Sequence, residues 1–89
     1  MTFDEVRVIV LHQLQATVAT YSAMPFPGEV DDSYLLRDLL LDSVAYVSLL
    51  STLERDLGCI PLGILSGTAY PETIGEFIAA YAEALEISG

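Results

Sequence analysis

Few side chains in this 89-residue sequence can take part in covalent or metal chemistry. There is one histidine, His12, and one cysteine, Cys59, so the ligand clusters that hold zinc are not expected. His12 stands beside Gln13 on a predicted polar helix face, which favours a solvated side chain over a member of a catalytic triad. Cys59 stands in an apolar stretch and lacks the electropositive setting of a reactive thiol. No glycine-rich phosphate loop is present. An enzyme is therefore the least favoured class.

The remaining candidate is a serine at the expected start of a helix. Asp42 and Ser43 follow the apolar run of residues 39–41 and precede a helical pattern that continues to Leu57. Both residue types are good helix N-caps, and caps of this kind occur in most helical proteins. Position alone therefore indicates a cap, formed by either Asp42 or Ser43.

Two helices begin with the same pair of signals. Thr2 and Glu5 have capping-box spacing, and Thr73 and Glu76 repeat it after Pro71. We expect the first helix from Thr2 to about Thr20 and the last helix from about Thr73. The expected core positions are Phe3, Val6, Val10, Leu14 and Val18 in the first helix, and Ile74, Phe77, Ile78, Tyr81 and Leu85 in the last.

The middle of the chain contains one more long helix and two irregular segments. The helix is expected over residues 43–57, with Gly58 ending it in the left-handed conformation. Residues 21 to about 41 form a long connection rich in turn-forming residues, and Pro61, Gly63 and Gly67 leave room for only a short helical turn. The expected core face of the middle helix comprises Tyr46, Leu49, Leu50, Leu53 and Leu57.

These elements predict one all-α domain over residues 1–89, a four-helix bundle with a short third helix and a long loop between helices 1 and 2. No segment shows the alternation typical of a strand. Hydrophobic residues make up 53% of the sequence, enough to form a core in a chain this short.

The charge is strongly negative. Thirteen Asp and Glu face three arginines and no lysine, giving a net charge of −10. This field repels nucleic acid and attracts basic protein surfaces, although it also serves simply to keep an apolar domain dissolved. We expect no membrane insertion, because the apolar runs are short. A single cysteine and an acidic start without a basic leader lead us to expect a cytoplasmic monomer.

Three short motifs together suggest a family. They are Asp42-Ser43-Val44 at the start of the middle helix, Ile60-Pro61 after its end, and Tyr70-Pro71-Glu72-Thr73-Ile74 at the opening of the last helix. In this order and spacing the chain resembles the acyl carrier protein family, which includes the peptidyl carriers of non-ribosomal synthetases. The resemblance covers nearly the whole chain, and it implies a bundle of acyl-carrier type.

The resemblance also implies a function for Ser43. In that family a phosphopantetheinyl transferase moves 4′-phosphopantetheine from coenzyme A onto the serine hydroxyl, and acyl-loading and acyl-processing enzymes then use the arm's thiol to hold thioesters. A phosphodiester at a helix N-terminus meets the positive end of the helix dipole. Asp42 would orient the transferase. The pathway implied is polyketide, non-ribosomal peptide or hybrid biosynthesis, and Asp-Ser-Val favours an acyl carrier over a peptidyl one.

The chain departs from the family pattern in three places. Leu40 and Leu41 stand where many members have a glycine and one apolar residue, so we expect a different loop conformation. Ser48 and Ser51 stand where acids are common, which predicts an apolar partner face that includes Ala45. Gly63 and Gly67 would make the third-helix region pliable. The expected partner-recognition residues are Leu41, Asp42, Val44, Val47, Ser48, Ser51 and Glu54.

Other functions remain open at this point. One alternative is a carrier-like fold that is never loaded and acts as a docking or regulatory subunit, which the presence of Ser43 disfavours. Another is a peptidyl (aminoacyl) carrier. A third possibility is an unrelated helical interaction module in which Ser43 is only a cap.

Overall fold

The computed structural model describes residues 2–22, 26, 28, 30–61, 63–64 and 71–88, with the helical backbone alone for residues 86–88. Three α-helices are present in this part of the chain: α1 (Phe3–Tyr21), α2 (Ser43–Leu57) and α3 (Ile74–Ser88). A short 3-10 helix, Leu36–Leu39, precedes α2. The all-α prediction is therefore confirmed for the described residues. Gly63 and Ile64 are also helical, but the rest of the predicted short third helix, including Gly67, lies outside the described residues.

Helix α1 begins with the predicted capping box. The Glu5 backbone N–H donates to Thr2 Oγ1 over 3.2 Å, and the Thr2 N–H donates to Glu5 Oε1 over the same distance. The prediction that Phe3 belongs to the core is wrong: this first residue of α1 is exposed, and the buried face of the helix begins at Val6. The other four predicted core residues are buried: Val6, Val10, Leu14 and Val18.

Helix α2 has the predicted bounds and the predicted end. Gly58 adopts the left-handed conformation, with φ of 82°, and its N–H donates to the Glu54 carbonyl oxygen over 2.7 Å. The core face is rotated from the predicted one, because Ala45, which we expected on the partner face, is fully buried. Tyr46 and Leu50 are half-buried at the edge of that face. The buried residues are Ala45, Leu49, Leu53 and Leu57.

Helix α3 supplies the opposite side of the core. The Glu76 N–H donates to Thr73 Oγ1 over 3.1 Å, as expected from the capping spacing, while the Glu76 carboxylate accepts from the Glu72 N–H over 2.8 Å. Four of its predicted core residues, Ile74, Phe77, Ile78 and Tyr81, are buried, and Leu85 is half-buried. No helix in the described ranges is long and apolar enough to cross a membrane.

The segment before α2 is fixed to the start of α3 by backbone hydrogen bonds. Leu36 N–H donates to the Glu72 carbonyl, and Ile74 N–H donates to the Tyr34 carbonyl, each over 2.9 Å. These two bonds flank an isolated antiparallel bridge between Leu35 and Thr73. Leu36 and Leu39 of the 3-10 helix are buried. Because these contacts hold the chain immediately before residue 40, they determine where α2 begins in space.

Candidate functional site

Ser43 is the first residue of α2 and is exposed, but it does not cap the helix. The cap is Asp42, whose Oδ1 accepts a hydrogen bond from the Ala45 N–H over 2.8 Å. Among the described residues, no hydrogen bond engages the Ser43 hydroxyl. The sequence left the cap open between Asp42 and Ser43, and the structure assigns it to Asp42. Ser43 is therefore an exposed residue of the first turn without a capping role.

The surroundings of Ser43 favour a negatively charged substituent on its hydroxyl. The first N–H groups of a helix have no intrahelical acceptor and carry the positive end of the helix dipole. Ala45 N–H is engaged by Asp42, and the next N–H, of Tyr46, donates to the Asp42 carbonyl oxygen over 2.9 Å. The N–H groups of Ser43 and Val44 precede both. A phosphate ester on Ser43 can therefore face two backbone donors.

Several large apolar side chains close to the serine in sequence are exposed. Leu40 and Val44 are each 66% exposed and Val47 is 60% exposed. Tyr21, the last residue of α1, is also exposed, and its hydroxyl donates to Ser48 Oγ of α2 over 3.3 Å. We call Tyr21, Leu40, Val44 and Val47 the apolar patch. Exposed large apolar side chains are candidates for a protein-contact surface.

Leu40 has an unusual backbone for a leucine. It lies in the left-handed region, with φ of 58° and ψ of 37°, where a side chain costs about 1–2 kcal/mol. This is a conformation that glycine favours, and the Leu40 side chain points to solvent. Leu41, which we had named for partner contact, is half-buried and packs against the core.

The other predicted recognition residues follow α2 away from the serine. Ser51 and Glu54 are exposed, as expected for a contact face. Ser48 is half-buried, with its hydroxyl beside that of Tyr21. The recognition residues expected from the sequence did not include Tyr21 or Leu40. The signal for Tyr21 was its position at the very end of α1, where a large side chain can reach a neighbouring helix.

His12 and Cys59 lie apart from this site. His12 is exposed, and Cys59 is half-buried, where burial raises the pKa of its thiol. A raised pKa leaves the thiol protonated at neutral pH and disfavours nucleophilic attack. Within the described residues, no group of His, Cys, Asp and Glu side chains is arranged to hold a metal ion.

The third motif is described only in part. Tyr70 lies outside the described residues, whereas Pro71 is buried and Thr73 caps α3. Comparisons of the chain with protein-family models, with curated proteins and with solved structures find no match. The site must therefore be interpreted from its own residues and geometry.

Proposed function

We propose that this chain is a stand-alone acyl carrier protein that holds a 4′-phosphopantetheine arm on Ser43. The arm presents thioester-bound intermediates to enzymes of polyketide, non-ribosomal peptide or hybrid biosynthesis. One observation at the start of α2 carries the proposal. Asp42 caps the helix, and the neighbouring Ser43 is exposed. The resemblance in motif order supports it.

Loading is a substitution at phosphorus. The Ser43 oxygen bonds to the phosphorus that carries pantetheine in coenzyme A, and the bond from that phosphorus to the bridging pyrophosphate oxygen breaks. Adenosine 3′,5′-bisphosphate leaves, and the serine proton passes to a base on the transferase. The product is a phosphodiester, and the first N–H groups of α2 stabilise its negative charge.

The protein then acts by positioning its cargo. A thiol on a flexible tether raises the effective concentration of an acyl group at a partner's active site without any catalysis by the carrier. The apolar patch gives partners a surface beside the tether, and the net charge of −10 steers basic partner surfaces toward the molecule. We expect it to work as a monomer in the cytoplasm.

Mass spectrometry of the intact protein tests the attachment. Purified protein is incubated with coenzyme A and a broad-specificity phosphopantetheinyl transferase. We expect the mass of one phosphopantetheine to be added to the parent, and none to be added to Ser43→Ala. Ser33→Ala is the control, because it removes an exposed serine that lies outside α2 and should load normally.

The same experiment identifies the alternatives. If several transferases fail to load a folded parent, the chain is a docking or regulatory subunit with a carrier-like fold. If Ser43→Ala is still loaded, another residue carries the arm. Far-UV circular dichroism of Ser43→Ala should match the parent, because the cap belongs to Asp42 and not to the substituted serine.

A further inference from the structure

Leu40 is exposed and adopts a backbone conformation that leucine rarely takes. Its φ of 58° lies in the left-handed region, and it is the one residue other than glycine with a positive φ in the described part of the chain. The side chain is 66% exposed, so it adds little to the core. Asparagine and glycine accept this conformation at a lower cost. The stability of the fold therefore does not account for a leucine at this position.

The turn that carries Leu40 is held in place on both sides. The preceding Leu39 is fully buried, and its carbonyl oxygen accepts a hydrogen bond from the Ser22 hydroxyl over 3.2 Å. The Leu40 N–H donates to the Arg37 carbonyl oxygen over 3.1 Å, and Leu41 packs against the core. The direction in which the Leu40 side chain leaves the backbone is therefore fixed. A contact made from a preorganised backbone loses less conformational entropy on binding.

Leu40 lies within the area that a transferase acting on Ser43 must cover. Three residues of chain span at most about 11 Å, which limits the distance between the Cα atoms of Leu40 and Ser43. To react, the Ser43 oxygen must come within about 3.5 Å of a phosphorus atom of coenzyme A, which the transferase holds. An interface of ordinary size covers about 800 Å² of each partner, equivalent to a disc of about 16 Å radius. An interface of that size around Ser43 includes Leu40.

Enzymes that use the loaded carrier are under no such constraint. They act on the thioester at the end of a flexible arm, so their contact surface need not include the residues next to the attachment point. The transferase, in contrast, works at the serine itself. It is therefore the partner whose contact with Leu40 follows from the chemistry of its reaction.

We propose that the phosphopantetheinyl transferase recognises Leu40, and that an apolar depression on the transferase receives this side chain while Ser43 reacts. Burial of the leucine is favourable because it removes apolar surface from water. A polar surface at the same place would leave its own groups unpaired against the leucine. The protein thus selects transferases with an apolar contact beside the reaction centre. The inference rests on the proposed function at Ser43 and adds the chemistry of the partner that loads it.

Leu40→Asn tests the side chain and preserves the backbone. Asparagine has the same branched shape as leucine and accepts the left-handed conformation, but its tip is a polar amide. Initial rates of loading by a broad-specificity transferase are measured against carrier concentration at saturating coenzyme A, which gives kcat and KM separately. Leu40→Met is the rescue variant, because it restores an apolar side chain of similar size.

Val8→Thr is the matched control. Val8 is also 66% exposed, and threonine has the shape of valine, so this variant makes a similar change from apolar to polar. Val8 also lies far from the serine. Gln13 of α1 donates to Asp56 over 2.7 Å, and Asp56 lies about 20 Å along α2 from Ser43. Because Val8 precedes Gln13 in α1, it lies farther still toward that end of the bundle.

We expect Leu40→Asn to raise KM by roughly tenfold, equivalent to about 1.4 kcal/mol, with kcat within about twofold of the parent value. Leu40→Met should keep KM within about threefold of the parent, and Val8→Thr should leave it unchanged. An unchanged KM for Leu40→Asn overturns the inference, and so does a lower one, which would show that the leucine obstructs the transferase. An equal rise for Leu40→Asn and Leu40→Met also overturns it, because apolar character would then not matter.

Binding without reaction provides a second measurement. Ser43→Ala has no hydroxyl to accept the arm, so its dissociation constant from the transferase with bound coenzyme A is measured by isothermal titration calorimetry. Adding Leu40→Asn to this variant should weaken binding by roughly tenfold. An unchanged dissociation constant overturns the inference. The urea midpoint of Leu40→Asn should be no lower than that of the parent, which excludes misfolding as the cause of a defect.

The loading of the parent separates this inference from the proposed function. Failure of every transferase to load the parent would remove the proposed function at Ser43, and this inference with it. Equal loading of the parent and Leu40→Asn removes this inference alone. A defect of Leu40→Asn that is confined to a downstream acyl-loading enzyme does the same, because the side chain would then serve that partner and not the transferase.

Discussion

The backbone N–H of Gly75 donates a hydrogen bond to the carbonyl oxygen of Asp32 over 2.9 Å, and the two residues are in direct contact. A Cβ atom on Gly75 would lie 2.7 Å from the Asp32 Cβ and 3.0 Å from its carbonyl oxygen. The Asp32 carboxylate also forms an ion pair with Arg7 of α1. A single glycine thus permits α1, the segment before α2 and the first turn of α3 to meet.

Gly75→Ala should therefore destabilise the fold. The added methyl group overlaps the Cβ and backbone of Asp32, so the helix or the segment before α2 must shift, at a cost of roughly 1–3 kcal/mol. Urea unfolding followed by circular dichroism measures the change. Gly28→Ala is the matched control, because nothing lies within 4 Å of its added Cβ. If both variants unfold at the parent's midpoint, the contact between Gly75 and Asp32 does not limit stability.

Substitutions of Asp42 should separate its role as a cap from its role as a charge. Asp42→Ala removes the acceptor for Ala45 N–H and should lower the free energy of unfolding by about 1 kcal/mol. Asp42→Asn keeps a capping oxygen, so its stability should stay within a few tenths of a kcal/mol of the parent. We nevertheless expect Asp42→Asn to be loaded more slowly, because the transferase loses a charged contact beside Ser43. Loading of Asp42→Asn at the parent rate would mean that Asp42 acts only as a cap.

The apolar patch predicts a loss of partner activity without a loss of stability. Val44→Ser removes an exposed apolar side chain next to Ser43. Because valine and serine have similar helix propensities, the free energy of unfolding should change by less than about 0.5 kcal/mol. Turnover by an acyl-loading partner should fall through a raised KM. Val8→Ser is the control, because Val8 of α1 is also 66% exposed and lies outside the patch. Equal losses in the two variants would show that partners do not use the patch.

The hydrogen bond between Ser33 and Asp31, in the segment before α2, should make the free energy of unfolding depend on pH under acidic conditions. The Ser33 hydroxyl donates to Asp31 Oδ1 over 2.6 Å and, with the Ser33 N–H, lowers the Asp31 pKa below its ordinary value of 3.8. Because the folded state holds the carboxylate ionised, this contribution is complete above about pH 3.8 and is lost as the pH falls through the lowered folded value.

Comparison of the parent with Ser33→Ala isolates that contribution from the general effect of removing negative charge. The parent should be the more stable protein at neutral pH, and the difference should shrink as the pH falls below 3.8. Urea midpoints at several pH values measure it. Ser51→Ala, which removes an exposed serine of α2, should show no such trend. A difference for Ser33→Ala that stays constant into strong acid would contradict the assignment.

Local signals made much of the fold predictable from the sequence. The Thr2–Glu5 box, the start of α2 at Ser43 and the left-handed Gly58 each depend on residues within a few positions of one another, and each is found where it was expected. The contact of Gly75 with Asp32 joins positions 43 residues apart, and no local pattern specifies such a pairing. Ala45 was assigned to the wrong face because its small side chain contributes little to an apolar periodicity.

Within the candidate site, the sequence predicted Asp42 and Ser43 better than it predicted the neighbouring leucines. Ser43 and Asp42 were found from their position at the start of a helix, but only the structure could decide which of them is the cap. In the run of three leucines, residues 39–41, composition alone does not reveal which side chain faces the solvent. The left-handed backbone of Leu40 decides it, by burying Leu39, half-burying Leu41 and exposing Leu40.

Leu40 has a further consequence for anyone who engineers this protein. Glycine at this position would relieve about 1–2 kcal/mol of backbone strain and lose about 0.5–1 kcal/mol to the greater freedom of the unfolded chain. Leu40→Gly should therefore raise the thermal midpoint slightly, which differential scanning calorimetry can detect, while slowing turnover with partner enzymes. Selection for heat resistance would favour glycine at residue 40 and remove part of the surface that we propose partner enzymes recognise. Under the proposed function, thermal stability and partner recognition are competing design goals at this position.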